Sequence, residues 1–445
     1  MPSEIQTIDA AKSAKAFAEL DDWRLDERVK GVPSGVRDLR LGDVGHKGWN
    51  LLREDLPLPA AVLKAPVLDN NSRWMTRFLE ASHAVIAPHG KTTMSPQLFQ
   101  RQLADGAWAI TVATVAQLQV CRRFGIKRLL LANQLVGRQA MRQVVSELAR
   151  DPEFEFYALA DSVEGVAMLA GEAKRQGLAR PVNLLLEGGI QGARAGCRTR
   201  EQALAVARTI KAASPHLALV GVEGFEGLIH DATAAESEAG VTAFLDFLVA
   251  IAADCRREGL FAPGPVILSA GGSAYYDLAA ERLAAAGISQ AMVVLRSGCY
   301  LTQDSTAYRK AFERLRVRSP LAAGIEGSLR PALELWTYVQ SRPEPGRLIL
   351  TAGKRDVSYD LDLPVPLAWF RPGAGRAPSP LAPGHEVVQL NDQHAHVRVP
   401  TESPLWPGDM VALGISHPCT TFDKWQAMFL VDDAYDIVGA IRTFF

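Results

Sequence analysis

No stretch of this 445-residue sequence approaches the roughly 18 consecutive apolar residues that a membrane-spanning helix needs, so no transmembrane segment is expected. The opening residues, MPSEIQTIDAAKSAK, lack the basic-then-apolar order of a secretory signal. Neither sign of charge is in excess. Lys and Arg number 48 against 49 Asp and Glu, so a net charge of −1 gives no global field to recruit nucleic acid or an anionic membrane. Cysteines are few, odd in number and scattered: Cys121, Cys197, Cys255, Cys299 and Cys419. That is no disulfide framework and points to a reducing, cytoplasmic compartment. Low-complexity segments are missing too. What remains is 48% hydrophobic and 22% charged, as expected of a soluble globular chain with apolar material for a large core. The length suggests two or three domains.

From about residue 84 to 297 one theme recurs, a short apolar run followed by an amphipathic stretch. The runs are AVIAP (84–88), AITVA (109–113), RLLLA (128–132), FEFYALA (154–160), VNLLLE (182–187), LALVGVEG (217–224), PVILSA (265–270) and AMVVLR (291–296). Near-continuous apolar strands separated by helices imply parallel strands buried on both faces. Eight such units predict an α/β fold with a closed (β/α)8 barrel over residues 61–325. A doubly wound open sheet is the alternative, because periodicity alone does not establish closure. The first helix is expected at roughly Asn70 to Ser82. After about residue 325 Pro and Gly become dense and short alternating runs appear (RLILTAG, EVVQLN, AHVRV, DMVALG, DAYDIVGAI). These predict a C-terminal antiparallel β domain over 326–445, closed by a strand at the end of the chain. Residues 1–60 read as an arm or added strand that joins the β domain.

Barrel active sites lie at the C-terminal ends of the strands. After the first run comes Pro88-His89-Gly90-Lys91-Thr92. A lysine there projects over the mouth, where burial favours the neutral amine that Schiff-base chemistry needs. The plain alternative is a solvated loop lysine. After the seventh run comes Ser269-Ala270-Gly271-Gly272-Ser273, and after the eighth Ser297-Gly298-Cys299-Tyr300. Glycines let backbone N–H groups approach an anion, and this pair of loops is a common phosphate site in barrels. Gly-rich turns also occur with no phosphate, so the pair together carries the reading. In the C-terminal domain, His417-Pro418-Cys419 offers an imidazole and a thiolate suited to Zn2+. On an extended strand both side chains would share a face, with Pro418 pointing away. Two protein ligands would leave positions open for water and substrate. A lone H-x-C can equally be accidental.

Together PHGKTT, the R-A-G of Arg194 to Gly196, SAGGS, SGCY and SHPCTTFDKW resemble the D-serine dehydratase/D-threonine aldolase group of alanine-racemase-like (fold type III) pyridoxal 5′-phosphate (PLP) enzymes. The resemblance runs over about residues 60–430, and SHPCTTFDKW is its most specific part. It implies a PLP barrel, a β domain, a homodimer and a divalent metal beside the cofactor. Lys91 would carry the cofactor as a Schiff base. Gly271, Gly272, Ser273, Gly298 and Cys299 would line its phosphate, Arg194 would lie near its ring, and Tyr300 matches an aromatic of the cofactor loop. His417 and Cys419 would bind Zn2+, in preference to Mn2+ or Mg2+. His89, Thr92, Gln393 and His394 would contact substrate or support the site. Departures stand beside these matches: Ala87 where the group commonly has Arg, Thr93 where it has His, Phe225-Glu226-Gly227-Leu228 for Tyr-x-Gly-His, and Asp392-Gln393-His394 for an acidic-Glu-His motif.

The His-x-Cys pair resembles the dehydratases, whereas His-x-Asp resembles the aldolases. The expected reaction is therefore PLP- and zinc-dependent elimination from a D-β-hydroxy amino acid such as D-serine, giving a 2-oxo acid and ammonia. A threonine-type aldolase, a racemase, for which no second base is assigned, and a non-catalytic PLP-binding protein are the alternatives. His89 reads more readily as a supporting residue than a catalytic one. His216 and His230 are expected to have no catalytic role, and His394 is preferred to His396. Cys121, Cys197 and Cys255 read as packing residues, and Trp406 and Trp425 as filling of the β-domain core.

Overall fold

A computed structural model describes residues 7–230 and 232–445. Each of the eight apolar runs forms a strand: Val85–Ile86, Ile110–Val112, Arg128–Gln134, Glu155–Ala160, Val182–Gly188, Leu217–Gly224, Val266–Ala270 and Ala291–Leu295. They pair in parallel as one eight-stranded sheet with the first strand beside the eighth. The sheet closes between the first strand and the second: Trp108 N–H donates to Ile86 O at 2.8 Å, Thr111 N–H to Pro88 O at 3.0 Å, and His89 bridges Thr111. Closure decides for the barrel over the open sheet. Ala87, Ala109, Leu130, Leu159, Leu185, Ile267 and Val294 fill its interior, while the larger apolar cluster lies between strands and outer helices.

Several helices begin at a hydroxyl that caps the first turn just after a strand. Thr114 Oγ1, Ser162 Oγ, Thr199 Oγ1 and Thr233 Oγ1 accept from the backbone N–H three residues on, at 3.2 to 3.3 Å. At Thr233 the carboxylate of Glu236 returns the bond, a full capping box. Such caps set where each amphipathic segment turns helical, and so how long the loops at the mouth are.

The β domain is built around the strand Leu333–Glu344, which pairs antiparallel with Met410–Gly414, Arg347–Leu350 and Ala60–Lys64. The RLILTAG, EVVQLN, AHVRV, DMVALG and DAYDIVGAI runs all supply strands, and Ile437–Arg442 lies near the chain's end. Four strands have no counterpart in the alternating pattern: Leu333–Glu344, Val365–Phe370, the two-residue Ser379–Pro380 and Ala427–Val431. The first is buried over its first seven residues, 333–339, apart from the half-buried Tyr338, and therefore shows no clean alternation there. The helix expected at Asn70 to Ser82 begins five residues earlier, at Ala65, directly after Ala60–Lys64, and it is the second long helix of the chain, not the first. Residues 1–60, read as an arm or added strand, depart from that reading where Ala10–Asp21 form an unexpected helix; Arg24–Leu25 then pairs briefly with Leu39–Arg40, and two 3-10 turns follow. Trp425 is buried as expected, but Trp406 is 58% exposed, its ring covered by the Arg342 guanidinium instead of the core.

Two backbone contacts fix the β domain on the barrel near its mouth. Ser305 N–H, beyond the eighth strand, donates to Ile415 O at 2.8 Å, and Phe444 N–H donates to Met94 O at 2.9 Å. The first holds the segment leading to His417 against the loop that carries Cys299.

Candidate active site

Lys91 sits in the 3-10 turn Gly90–Thr92 immediately after the first strand, and is half-buried. Burial holds its amine below the usual lysine value; Arg194 and Arg296 push the same way, against Cys419 and Cys299. These four groups, from two loops and the β domain, bear on one amine at the mouth. His89 is close by, and burial with Lys91, Arg296 and Arg194 around it keeps the imidazole neutral.

The two glycine loops, expected to bind an anion, meet a side chain of the protein itself at the seventh strand. Gly271 and Gly272 point their N–H groups at the carboxylate of Glu226, at 3.1 and 2.6 Å. Gly271 has φ +84°, and a Cβ there would stand 2.8 Å from Leu295. A Cβ on Gly298 would stand 2.5 Å from His89 O and 2.8 Å from Thr92 Oγ1, so only glycine lets the first and eighth loops touch. Ser297 Oγ bonds Ser273 Oγ at 3.3 Å, tying the seventh loop to the eighth. Arg194 lies over the Phe225 ring at 4.6 Å on the rim. Tyr300 does not face the mouth: its ring is buried behind the barrel wall and its hydroxyl bonds Gln102.

A layer of charged side chains beneath these loops escaped sequence reasoning. The Arg296 guanidinium pairs with the Glu223 carboxylate, both buried, and also donates to Gly224 O at 2.9 Å. Burial pushes the Glu223 carboxyl up and Arg296 opposes it. Gln134 bonds Glu187, and Asp161 Oδ2 accepts Gly196 N–H at 3.0 Å. The signal was present. Glu223 and Arg296 each fall at the C-terminal end of a buried apolar run, where a charge faces the mouth.

His417 and Cys419 come together through a turn. Pro418 has φ −55° and ψ −43° and opens the short helix Cys419–Phe422, so the expected extended geometry is replaced by a helical step. A helix N-terminal residue fits proline's fixed φ, which is why the chain turns there. His417 Nδ1 lies 2.5 Å from Asp360 Oδ2, and Thr420 Oγ1 donates to Asp360 Oδ1 at 2.6 Å. The thiol of Cys419 is drawn well below the usual range by Cys299, and then by His417 and Thr92, against its burial. Its Sγ lies 3.5 Å from the buried Thr92 Oγ1. Gln393 and His394 are placed elsewhere, on the hairpin of Glu386–Leu390 and Ala395–Arg398, where Gln393 reaches Asp356 at 3.4 Å. His396 bonds Arg347 at 2.8 Å.

The residues present fit both groups expected from the sequence. Three buried polar atoms at the mouth, His89 Nδ1, Arg296 Nε and Glu223 Oε2, have no hydrogen-bond partner among the described residues. Buried polar atoms are rarely left so, and a polar ring above them would satisfy them. The amides of Gly271 and Gly272 already hold an anionic oxygen pair. At the second position, an imidazole with one nitrogen fixed by a carboxylate, next to an acidified thiol, is a donor pair for a divalent ion. Among the described residues no three His, Cys, Asp and Glu side chains stand as a ready cage.

Comparison with known proteins agrees with this architecture. The model of the alanine racemase N-terminal domain matches residues 66–305, and that of a putative serine dehydratase domain matches 332–431. A D-threonine aldolase of an Arthrobacter species is 24% identical over 399 residues, 89% of this chain and 94% of that protein. The crystal structure of D-threonine aldolase from Filomicrobium marinum superposes with a TM-score of 0.71 at 20% identity, over 89% of this chain and 97% of that one. A cysteine-to-alanine variant of a D-threo-3-hydroxyaspartate dehydratase, in its metal-free form, gives 0.69 at 20% identity, over 89% and 99%. These likenesses establish the fold.

Proposed function

Because this chain belongs to the family of the alanine racemase N-terminal domain, whose model spans residues 66–305, we propose that it is a PLP-dependent lyase acting on D-β-hydroxy amino acids. In its finer form the proposal is a D-serine dehydratase-type enzyme that releases a 2-oxo acid and ammonia. One observation carries it. Cys419 Sγ of the β domain lies 3.5 Å from Oγ1 of Thr92, the residue next to Lys91, whose amine burial pushes toward neutrality. A base for Cα and a donor pair for a metal at the β-oxygen thus meet at one mouth.

Lys91 would hold the cofactor through its amine, and the amides of Ser273, Gly298 and Cys299 would hold its phosphate, joined by those of Gly271 and Gly272 once the Glu226 carboxylate gives them up. His417 and Cys419 would hold the ion. When bound, PLP supplies an electron sink for the pair left on Cα, and the divalent ion a Lewis acid for the β-oxygen. Lys91 Nζ then takes the α-proton, and its lowered pKa keeps it able to do so near neutral pH. Arg296, locked by Glu223 and Gly224 O, would offer its guanidinium to a polar group of the cofactor. Asp360 fixes the His417 ring, so that the other nitrogen is the donor. The rim carries exposed Val136, Val163, Met168 and Leu228, an apolar edge suited to a second copy, and the active unit in this proposal is a homodimer. Sedimentation at micromolar concentration checks that.

The thiol donor and the match to a putative serine dehydratase domain favour elimination. The Arthrobacter D-threonine aldolase likeness favours a second reading, Cα–Cβ cleavage. Incubation with D-serine, D-threonine and their L-forms, with keto acid and aldehyde assayed in parallel, separates them. Pyruvate and ammonia from D-serine alone are expected. Glycine and an aldehyde from D-threonine would replace the dehydratase reading with the aldolase one.

A further inference from the structure

The His417–Cys419 pair has a third neighbour of the same chemistry, supplied by the barrel. Cys299 is 4% exposed, and its Sγ lies 3.9 Å from Cys419 Sγ. That is nearly twice a disulfide bond of about 2.05 Å, so the two sulfurs are separate thiols. Two sulfurs bound to one tetrahedral ion at about 2.3 Å each stand about 3.8 Å apart. The separation therefore already suits a shared ion. Polar groups converge on the same two atoms. Thr92 Oγ1 is 3.5 Å from Cys419 Sγ and 3.9 Å from Cys299 Sγ, and the Tyr308 hydroxyl bonds Cys299. Packing alone does not call for a thiol among hydroxyls at this place. Cys121, by contrast, lies in the apolar cluster with its thiol pushed far toward the neutral form.

We propose that Cys299 is a third protein ligand of the metal, which is then held by Cys419 and His417 from the β domain and by Cys299 from the barrel. This rests on the reading that a metal binds at His417 and Cys419. The three side chains do not stand as a closed donor group among the described residues, but the sulfur pair is at coordinating distance and the imidazole lies against the second sulfur. Two consequences follow. Three protein donors leave a single open position on a four-coordinate ion, so the substrate enters through one oxygen. Two thiolates also select a soft ion, Zn2+, Co2+ or Cd2+, against Mn2+ and Mg2+. Because Cys299 belongs to the loop next to the cofactor phosphate, one residue then serves both sites.

The test is titration of metal-depleted full-length protein, kept reduced, with Co2+. Each thiolate bound to the ion contributes to the sulfur-to-cobalt charge-transfer absorption, a readout independent of turnover. One equivalent of Co2+ should give a band roughly twice as intense as that of Cys299→Ser or Cys419→Ser. X-ray absorption on the unmutated zinc protein, with no variant to misfold, should return two sulfur neighbours. A single sulfur neighbour, or a band unchanged in Cys299→Ser, overturns the assignment and leaves the His417–Cys419 metal reading standing. Failure of the unmutated protein to take up any ion overturns both.

Discussion

His417 Nδ1 stands 2.5 Å from Asp360 Oδ2, across 57 residues of sequence, and this contact decides which imidazole nitrogen is left to bind. Asp360 is itself held by Thr420 Oγ1, so the ring is oriented from two sides of one carboxylate. Replacing Asp360 with Asn keeps the shape and removes the charge. Metal affinity should fall about 10- to 100-fold, as for other carboxylates that orient a metal-binding histidine. Competition against a chromophoric chelator measures it, and cofactor absorbance on the same samples should be unchanged. Equal affinity in Asp360→Asn and the parent would remove Asp360 from the site.

How much of this was legible in sequence depends on how local each signal is. The eight barrel strands are written in consecutive apolar residues, and all eight runs become strands. Lys91, the SAGGS and SGCY loops and H-x-C are short contiguous patterns. Asp360 and Glu226 act through contacts made only when distant loops meet, and no spacing announces them, whereas Glu223 and Arg296 are marked by their place at strand ends and only their pairing is hidden. Leu333–Glu344 was hidden for the opposite reason: a strand buried on both faces loses the alternation by which a half-exposed strand is recognised. The expected extended geometry of His417 and Cys419 failed because Pro418 suits a helix start as well as an extended turn.

Lys91 titration gives a second prediction. The groups facing its amine are Arg194 and Arg296, which lower its pKa together with burial, and Cys419 and Cys299, which raise it; the net direction is down from 10.5. A lowered pKa means the neutral, attacking amine is fully populated at a lower pH. The rate of covalent cofactor attachment to cofactor-free protein should therefore rise with pH and level off below 10.5. Borohydride should fix the label on Lys91, and Lys91→Ala should lose both label and turnover. A rate still climbing in proportion to hydroxide through that pH, or a label on another lysine, counts against the assignment.

The N-terminal arm reaches the metal motif through Lys30. Its Nζ lies 2.6 Å from Asp356 Oδ1, donates to Arg355 O at 2.8 Å and stands 4.0 Å above the Trp425 ring. Asp356 is 1% exposed, and Trp425 Nε1 donates to its backbone oxygen at 2.9 Å. Lys30→Met keeps the apolar stem and strips a buried carboxylate of its counter-ion, at a cost below the roughly 3–5 kcal/mol of a fully buried pair because the Lys30 side chain is 33% exposed. The Tm should drop by several degrees while cofactor binding holds. An unchanged Tm would mean that the arm only lies on the surface there.

Metal removal separates the functional readings most sharply. The elements that would hold the cofactor, Lys91 and the amides of Gly271, Gly272 and Gly298, belong to the barrel and make no use of His417. Chelation should therefore abolish elimination from D-serine while the cofactor's absorbance persists, and Zn2+ should restore activity. The donor set predicts which ions do so. A thiolate prefers soft ions, so Mn2+ and Mg2+ should restore little. Cys419→Asp replaces the soft donor with a hard carboxylate at the same place, and should shift the preference toward Mn2+ while lowering Zn2+ affinity. The shift is read as the ratio of activity restored by the two ions, which a general loss of folding would leave unchanged. Should D-serine turnover persist after chelation verified by metal analysis, metal-assisted departure of the β-hydroxyl is wrong. The proton on that leaving oxygen must then come from a side chain, and Tyr308, whose hydroxyl already bonds Cys299, is the first candidate to replace with Phe.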